Sequence, residues 1–139
     1  MISARSAEKQ AKKGLTSVFG ENILKNVEVQ VEEGEGSLSM IIKFEVGEGE
    51  ISAGGEKRKV KPGTYEMKVE VTFGKRGKGM IEARFAGRCG ESQLSDLYVV
   101  EEKKADYIRS WLADKIGALA IQCATEAEES ADIGGLLGW

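Results

Sequence analysis

Between residues 65 and 73 the chain alternates without a fault. Tyr65, Met67, Val69, Val71 and Phe73 fall on one side, and Glu66, Lys68, Glu70 and Thr72 on the other. Successive side chains of an extended backbone point to opposite faces, so this run dictates a strand with one face buried and one in water. Such a strand needs antiparallel neighbours of the same pattern and an apolar layer over its inner face.

The neighbours are present. Val27, Val29 and Val31 alternate with Glu28, Gln30 and Glu32; a Glu-Gly-Glu-Gly turn at 33–36 follows. Leu38, Met40, Ile42, Phe44 and Val46 then alternate with Ser39, Lys43 and Glu45. Residues 74–79 read as a hairpin loop, and residues 80–86 as its return strand with Ile81, Ala83 and Phe85 inward. The glycine- and glutamate-rich stretch 47–55 has room for a short edge segment around Ile51, and Tyr98-Val99-Val100 suggests a further short strand.

The covering layer comes from two helices. Ala7, Ala11, Leu15 and Val18/Phe19 recur at helical spacing, with Gly20 placed to stop the helix. Over residues 103–129, Ile108, Trp111, Leu112, Ile116, Leu119, Ala120 and Cys123 form one apolar stripe, with Asp106, Arg109, Asp114 and Glu126 off it. The expected fold is therefore α+β: an N-terminal helix, a mostly antiparallel sheet of four strands or slightly more, and a long C-terminal helix packed on the sheet. Residues 1–130 form the single domain. Residues 131–139 are an apolar, glycine-hinged tail, read either as an end that frays or packs back, or as a docking peptide or dimer contact with Trp139 as its anchor.

A chain of 139 residues is long enough for one core and short for two. It has no histidine, which removes the common imidazole bases, His-activated nucleophiles and most zinc sites. No paired nucleophile and base is legible, so the expectation is no catalytic residue, no metal and no cofactor. No apolar run approaches the ~20 residues that span a bilayer, and residues 1–13 lack the apolar centre of a secretion signal. The two cysteines, Cys89 and Cys123, are then most simply free thiols in a cytoplasmic protein, a disulfide being the alternative.

Net charge is −3, but it is segregated. Residues 57–88 carry ten cations against three anions, a local excess of seven, which leaves ten net negative charges on the rest. The cations gather in Lys57, Arg58, Lys59 and Lys61 before the central strand and in Lys75, Arg76 and Lys78 after it. A positive field of this kind steers an acidic partner. The two groups sit at opposite ends of one strand, making two sites or a stripe along the sheet. The loop at 74–79 lacks both the Gly-Lys-Ser/Thr ending and the following helix of a phosphate-binding loop.

The stretch from Gly49 to Gly74 resembles the N-terminal domain of the activators of the ninety-kilodalton heat-shock chaperone ATPase. Gly49-Glu50-Ile51 stands where that family has a Gly-Glu-Ala opening. Arg58-Lys59-Val60-Lys61 matches its basic motif, and Tyr65-Glu66-Met67 through Phe73-Gly74 its following strand. The family's Asn-rich, Trp-containing N-terminal signature and its second domain are absent. The resemblance implies a single-domain co-chaperone that docks on the chaperone through Arg58, Lys59 and Lys61 and modulates its ATPase. Two alternatives stand beside it. One is a small nucleic-acid-binding domain using residues 57–88, and the other a carrier holding a lipid or small ligand between sheet and helix.

Overall fold

The alternating run becomes the centre of a five-stranded antiparallel sheet. The computed structural model describes residues 2–127, in the order α1 (Ala4–Ile23), β1 (Leu24–Gly34), β2 (Ser37–Val46), β3 (Glu50–Ala53), β4 (Glu56–Val60), β5 (Gly63–Lys75), β6 (Met80–Cys89), β7 (Ser92–Glu101), a 3-10 turn (Glu102–Lys104), α2 (Tyr107–Ala124) and β8 (Thr125–Ala127). The large sheet runs β1-β2-β5-β6-β7, and a second, three-stranded sheet runs β3-β4-β8. The architecture is α+β, as the patterning predicts.

The inner face is a continuous apolar layer. Leu38, Met40, Ile42 and Phe44 of β2 lie opposite Val71, Val69, Met67 and Tyr65 of β5, and Val71 opposite Phe85 of β6. All are buried except Tyr65, which is half-buried. Ile108, Leu112, Ile116, Leu119 and Ala120 of α2, with Ala7, Ala11, Leu15 and Phe19 of α1, close over this layer. Trp111, half-buried on the same stripe, stacks on Tyr98 (5.5 Å) and meets Phe85 edge-on (6.2 Å).

Two close approaches set the position of α2. A Cβ at Gly14 of α1 would collide with the Ala113 carbonyl oxygen, and one at Gly117 would stand 2.9 Å from Val18 Cγ2. At Gly87 of β6 a Cβ would lie 2.7 Å from Leu119 Cδ2. Glycine at these positions lets α2 lie against both α1 and the sheet. Gly20, expected to stop the first helix, has φ 74, and one further turn follows before β1. Lys115 Nζ reaches Asp96 Oδ2 at 2.5 Å and ties α2 to β7. The Lys115 hydrogen bond, then the Leu97 N–H, hold the Asp96 carboxyl below its usual range.

Three expectations need correction. The cysteines are not free: Cys89 and Cys123 form a disulfide, their Cα atoms 5.9 Å apart across 34 residues of sequence. The approach at Gly87 carries the last turn of α2 onto the end of β6, a proximity that sequence separation does not reveal. The last helix does not run to residue 129. It ends at Ala124, and the chain then joins the small sheet as β8. Residues 98–100 belong to a full strand, Ser92–Glu101, with Gln93 and Ser95 on the open face and Ser92 and Asp96 on the helix-facing side, where Asp96 meets Lys115. The segment around Ile51 is a short edge strand as expected, and it belongs to the second sheet, where it pairs with β4. The tail at 131–139, with Trp139, lies outside the described residues.

Candidate cationic interface

Arg58-Lys59-Val60 is strand, not loop. Val60 is 2% exposed, and burying it places Arg58, two residues earlier, on the same side of β4. Arg58 is correspondingly half-buried. Its Nε donates to Thr125 Oγ1 at 2.7 Å, and its guanidinium lies 3.8 Å from Glu56. The Thr125 hydroxyl in turn donates to the Ile121 carbonyl at the end of α2. The backbone is tied in parallel: Val60 N–H donates to Gly49 O (2.8 Å) and Lys61 N–H to Ala124 O (2.8 Å). Tyr65 OH donates to Lys61 O (2.7 Å) while its ring stacks on Phe44 (5.4 Å). Burial first, and the Glu126 carboxylate second, raise the Tyr65 phenol above its usual pKa, so it remains a proton donor.

The predicted cations therefore divide. Arg58 faces the domain and holds the corner together. Lys57 and Lys59 are exposed on the other side of β4, and Lys61 is half-buried at its end. Lys59 lies in register between Glu50 of β3 and Glu126 of β8. Segregation along the sequence is thus partly undone in space, because β3 and β8 bring carboxylates beside the basic run.

Lys75, Arg76 and Lys78 occupy the β5–β6 hairpin, all exposed. Arg76 N–H donates to Met80 O (3.0 Å), and Gly77 and Gly79 take φ of 70 and 73 to make the turn. Glu82 draws in Arg76 (3.8 Å) and Arg84 (2.9 Å). The 3-10 turn adds Lys103 and Lys104 beside the hairpin through a bond from Glu102 N–H to Gly79 O (2.8 Å). β5 has 13 residues, so the two groups stand roughly 40 Å apart at about 3.3 Å per residue. Between them Lys68 is flanked by Glu66 and Glu70 on the same face, so they are two sites and not a stripe.

Sequence reasoning missed Thr125, Ala124 and Glu126 as partners of the β4 corner, and Lys103 and Lys104 as neighbours of the hairpin. The helix stripe gave no sign that the chain turns back after Ala124; the β-branched Thr125 is the only local hint. Among the described residues there is no group of three or more Cys, Asp or Glu side chains able to hold a metal ion. No helix among them is long and apolar enough to cross a membrane. Comparison with known proteins finds no matching family model, no matching curated protein and no matching solved structure.

Proposed function

We propose that the chain is a non-enzymatic docking module for an acidic protein surface, a co-chaperone-like partner of the ninety-kilodalton heat-shock chaperone. Lys57, Lys59 and Lys61 would be the contact cations and Arg58 their positioning residue. The observation that carries the reading is the three-way anchoring of β4, to β3, to β8 and to the end of α2. Cations on an anchored strand lose less conformational freedom on binding than cations on a loop. The resemblance across Gly49–Gly74 supplies the partner and the expected stimulation of its ATPase in a stress response. The pairing of Cys89 and Cys123 removes the free thiols expected of a cytoplasmic protein.

The test sets binding to the purified chaperone, and stimulation of its ATPase, beside thermal melts. Wild type should bind with an affinity that falls from 0.1 to 1 M salt, as the Debye length shrinks from ~10 to ~3 Å. Lys57→Ala/Lys59→Ala/Lys61→Ala should lose binding and keep its melting temperature. A wild type that neither binds nor stimulates sinks the chaperone reading. A triple variant that binds as well as wild type removes the corner from the interface. Salt-sensitive binding to single-stranded RNA that the same variant loses would transfer the corner to the nucleic-acid alternative.

A further inference from the structure

Charged residues oppose one another in register at five places in the two sheets, among the described residues. Glu28 faces Lys43, Lys43 faces Glu66, Glu50 faces Lys59, and Lys59 faces Glu126. The fifth place is Lys68 opposite Arg88, on adjacent central strands β5 and β6. Four are of opposite sign, as cross-strand energetics favour; the fifth sets two cations face to face, which is destabilising. Both side chains are exposed on the open face of the large sheet, away from the helices. Among the described residues neither has a carboxylate within ion-pair distance, whereas Lys43, in the next row, reaches Glu66 at 4.0 Å.

This pair lies in a shallow hollow of about 450 Å³ on that face. Its polar walls include Gln93, the register partner of Arg88 on β7, together with Ser39 and Ser95. Ile41, the register partner of Lys68 on β2, contributes an exposed apolar rim. Glu70 is the single carboxylate in the lining. A local rule broken at one place in an otherwise consistent sheet marks a functional or strained position, and the hollow around this one gives a ligand room.

We propose that Lys68 and Arg88 form an anion site for a small phosphate monoester. The Arg88 fork suits two oxygens of one group, and Lys68 adds a point charge for a third. Gln93, Ser39 and Ser95 offer neutral donors around it. A carboxylate has only two oxygens for this donor set; a phosphate ester has three free. The hollow exceeds a bare phosphate in size, and Ile41 gives the organic part a surface to lie on. Glu66, Glu70, Glu28 and Glu32 in the flanking rows disfavour a polyanion running across the face. The site is separate from the β4 corner, so its fate does not depend on the chaperone reading.

The experiment titrates the whole chain with phenyl phosphate and with inorganic phosphate, reading amide shifts by NMR, against chloride at matched ionic strength. Phenyl phosphate should saturate with Kd below about 1 mM and bind more tightly than inorganic phosphate. The shifts should centre on Lys68, Arg88 and Gln93. Arg88→Gln and Lys68→Gln should each weaken binding about tenfold, within the range for a lost charge-assisted contact. Arg88→Glu should abolish binding and raise the melting temperature of the free protein, because it turns the like-charge pair into an opposite one. No saturable shift at about 10 mM, or a response equal to that of chloride, overturns the proposal. So does undiminished binding in Arg88→Gln, a lower melting temperature in Arg88→Glu, or a single-stranded oligonucleotide that binds more tightly than phenyl phosphate through the same two residues.

Discussion

The two sheets of this protein are held together by different physics. In the large sheet β2, β5 and β6 present unbroken apolar rows to two helices, and burial supplies the stability. The small sheet is short, four, five and three residues per strand, and its central strand reads Glu-Lys-Arg-Lys-Val. Val60 and Ile51 enter the core, while Arg58, Thr125 and a few backbone bonds do the rest. One region folds because of what its residues are; the other because of where its neighbours place it. The surface cations of the proposed interface ride on the second kind.

Substitution should separate the two regimes. Phe85→Ala, in the large sheet, should cost about 3–5 kcal/mol in chemical denaturation and lower the stability of the whole domain. Removing the disulfide with Cys89→Ala/Cys123→Ala should cost about 2–4 kcal/mol, and reductant should bring wild type close to the same value. Equal stability with and without reductant would show that the bond adds nothing to what packing at Gly87 already fixes. Arg58→Ala should cost less, about 1–2 kcal/mol, from one charge-assisted hydrogen bond that retains some water. Its effect should be local, with faster amide exchange in β3, β4 and β8 and little change in β5 and β6. A uniform loss of protection across both sheets would break the distinction between them.

The smallest expected effect is a pH dependence at the junction of the two regions. The folded-state pKa of Tyr65 is raised by burial, so above the unfolded value of about 10 the unfolded chain releases this proton before the folded one does. The unfolded state then binds fewer protons, and stability falls as pH rises through that window. The contribution is fully present below about pH 10 and absent at all pH values in Tyr65→Phe. Parallel alkaline melts of the two proteins would show it as a difference in slope. Identical slopes would mean that the phenol is as free in the folded chain as in the unfolded one.

The same distinction explains what could be read before the structure. β1, β2, β5 and β6 announce themselves because period two is a local property and one face of each is apolar. The stripe from Ile108 to Cys123 did the same for α2. β7 shows only at Tyr98–Val100, because Ser92 and Asp96 stand at inward positions and break the apolar row of Leu94, Tyr98 and Val100. The small sheet was nearly invisible: β8 is made from three residues that continue a helix in sequence, and β4 looks like a charged loop until Val60 is buried. The disulfide stands in the sequence only as the alternative for a related reason, since the proximity of Cys89 and Cys123 depends on Gly87 admitting α2. Of the proposed site residues, Lys57, Lys59, Lys75, Arg76 and Lys78 are exposed as a binding role requires, whereas the inward turn of Arg58 follows from a partner, Thr125, far away in sequence.

The covalent link between Cys89 and Cys123 also decides how the molecule would bear mechanical load. Once β8 has peeled from β4, a pull on the chain beyond Cys123 reaches Cys89 through the sulfurs and enters the sheet at the end of β6, between β5 and β7, bypassing the rest of α2. The intervening chain, spanning 34 positions, stays short-circuited until the bond is reduced. Stretched at about 3.5 Å per residue, that concealed length is roughly 120 Å. In a single-molecule extension trace it should appear as added contour only when reductant is present, so that the redox state of one bond sets the reach of the unfolded chain.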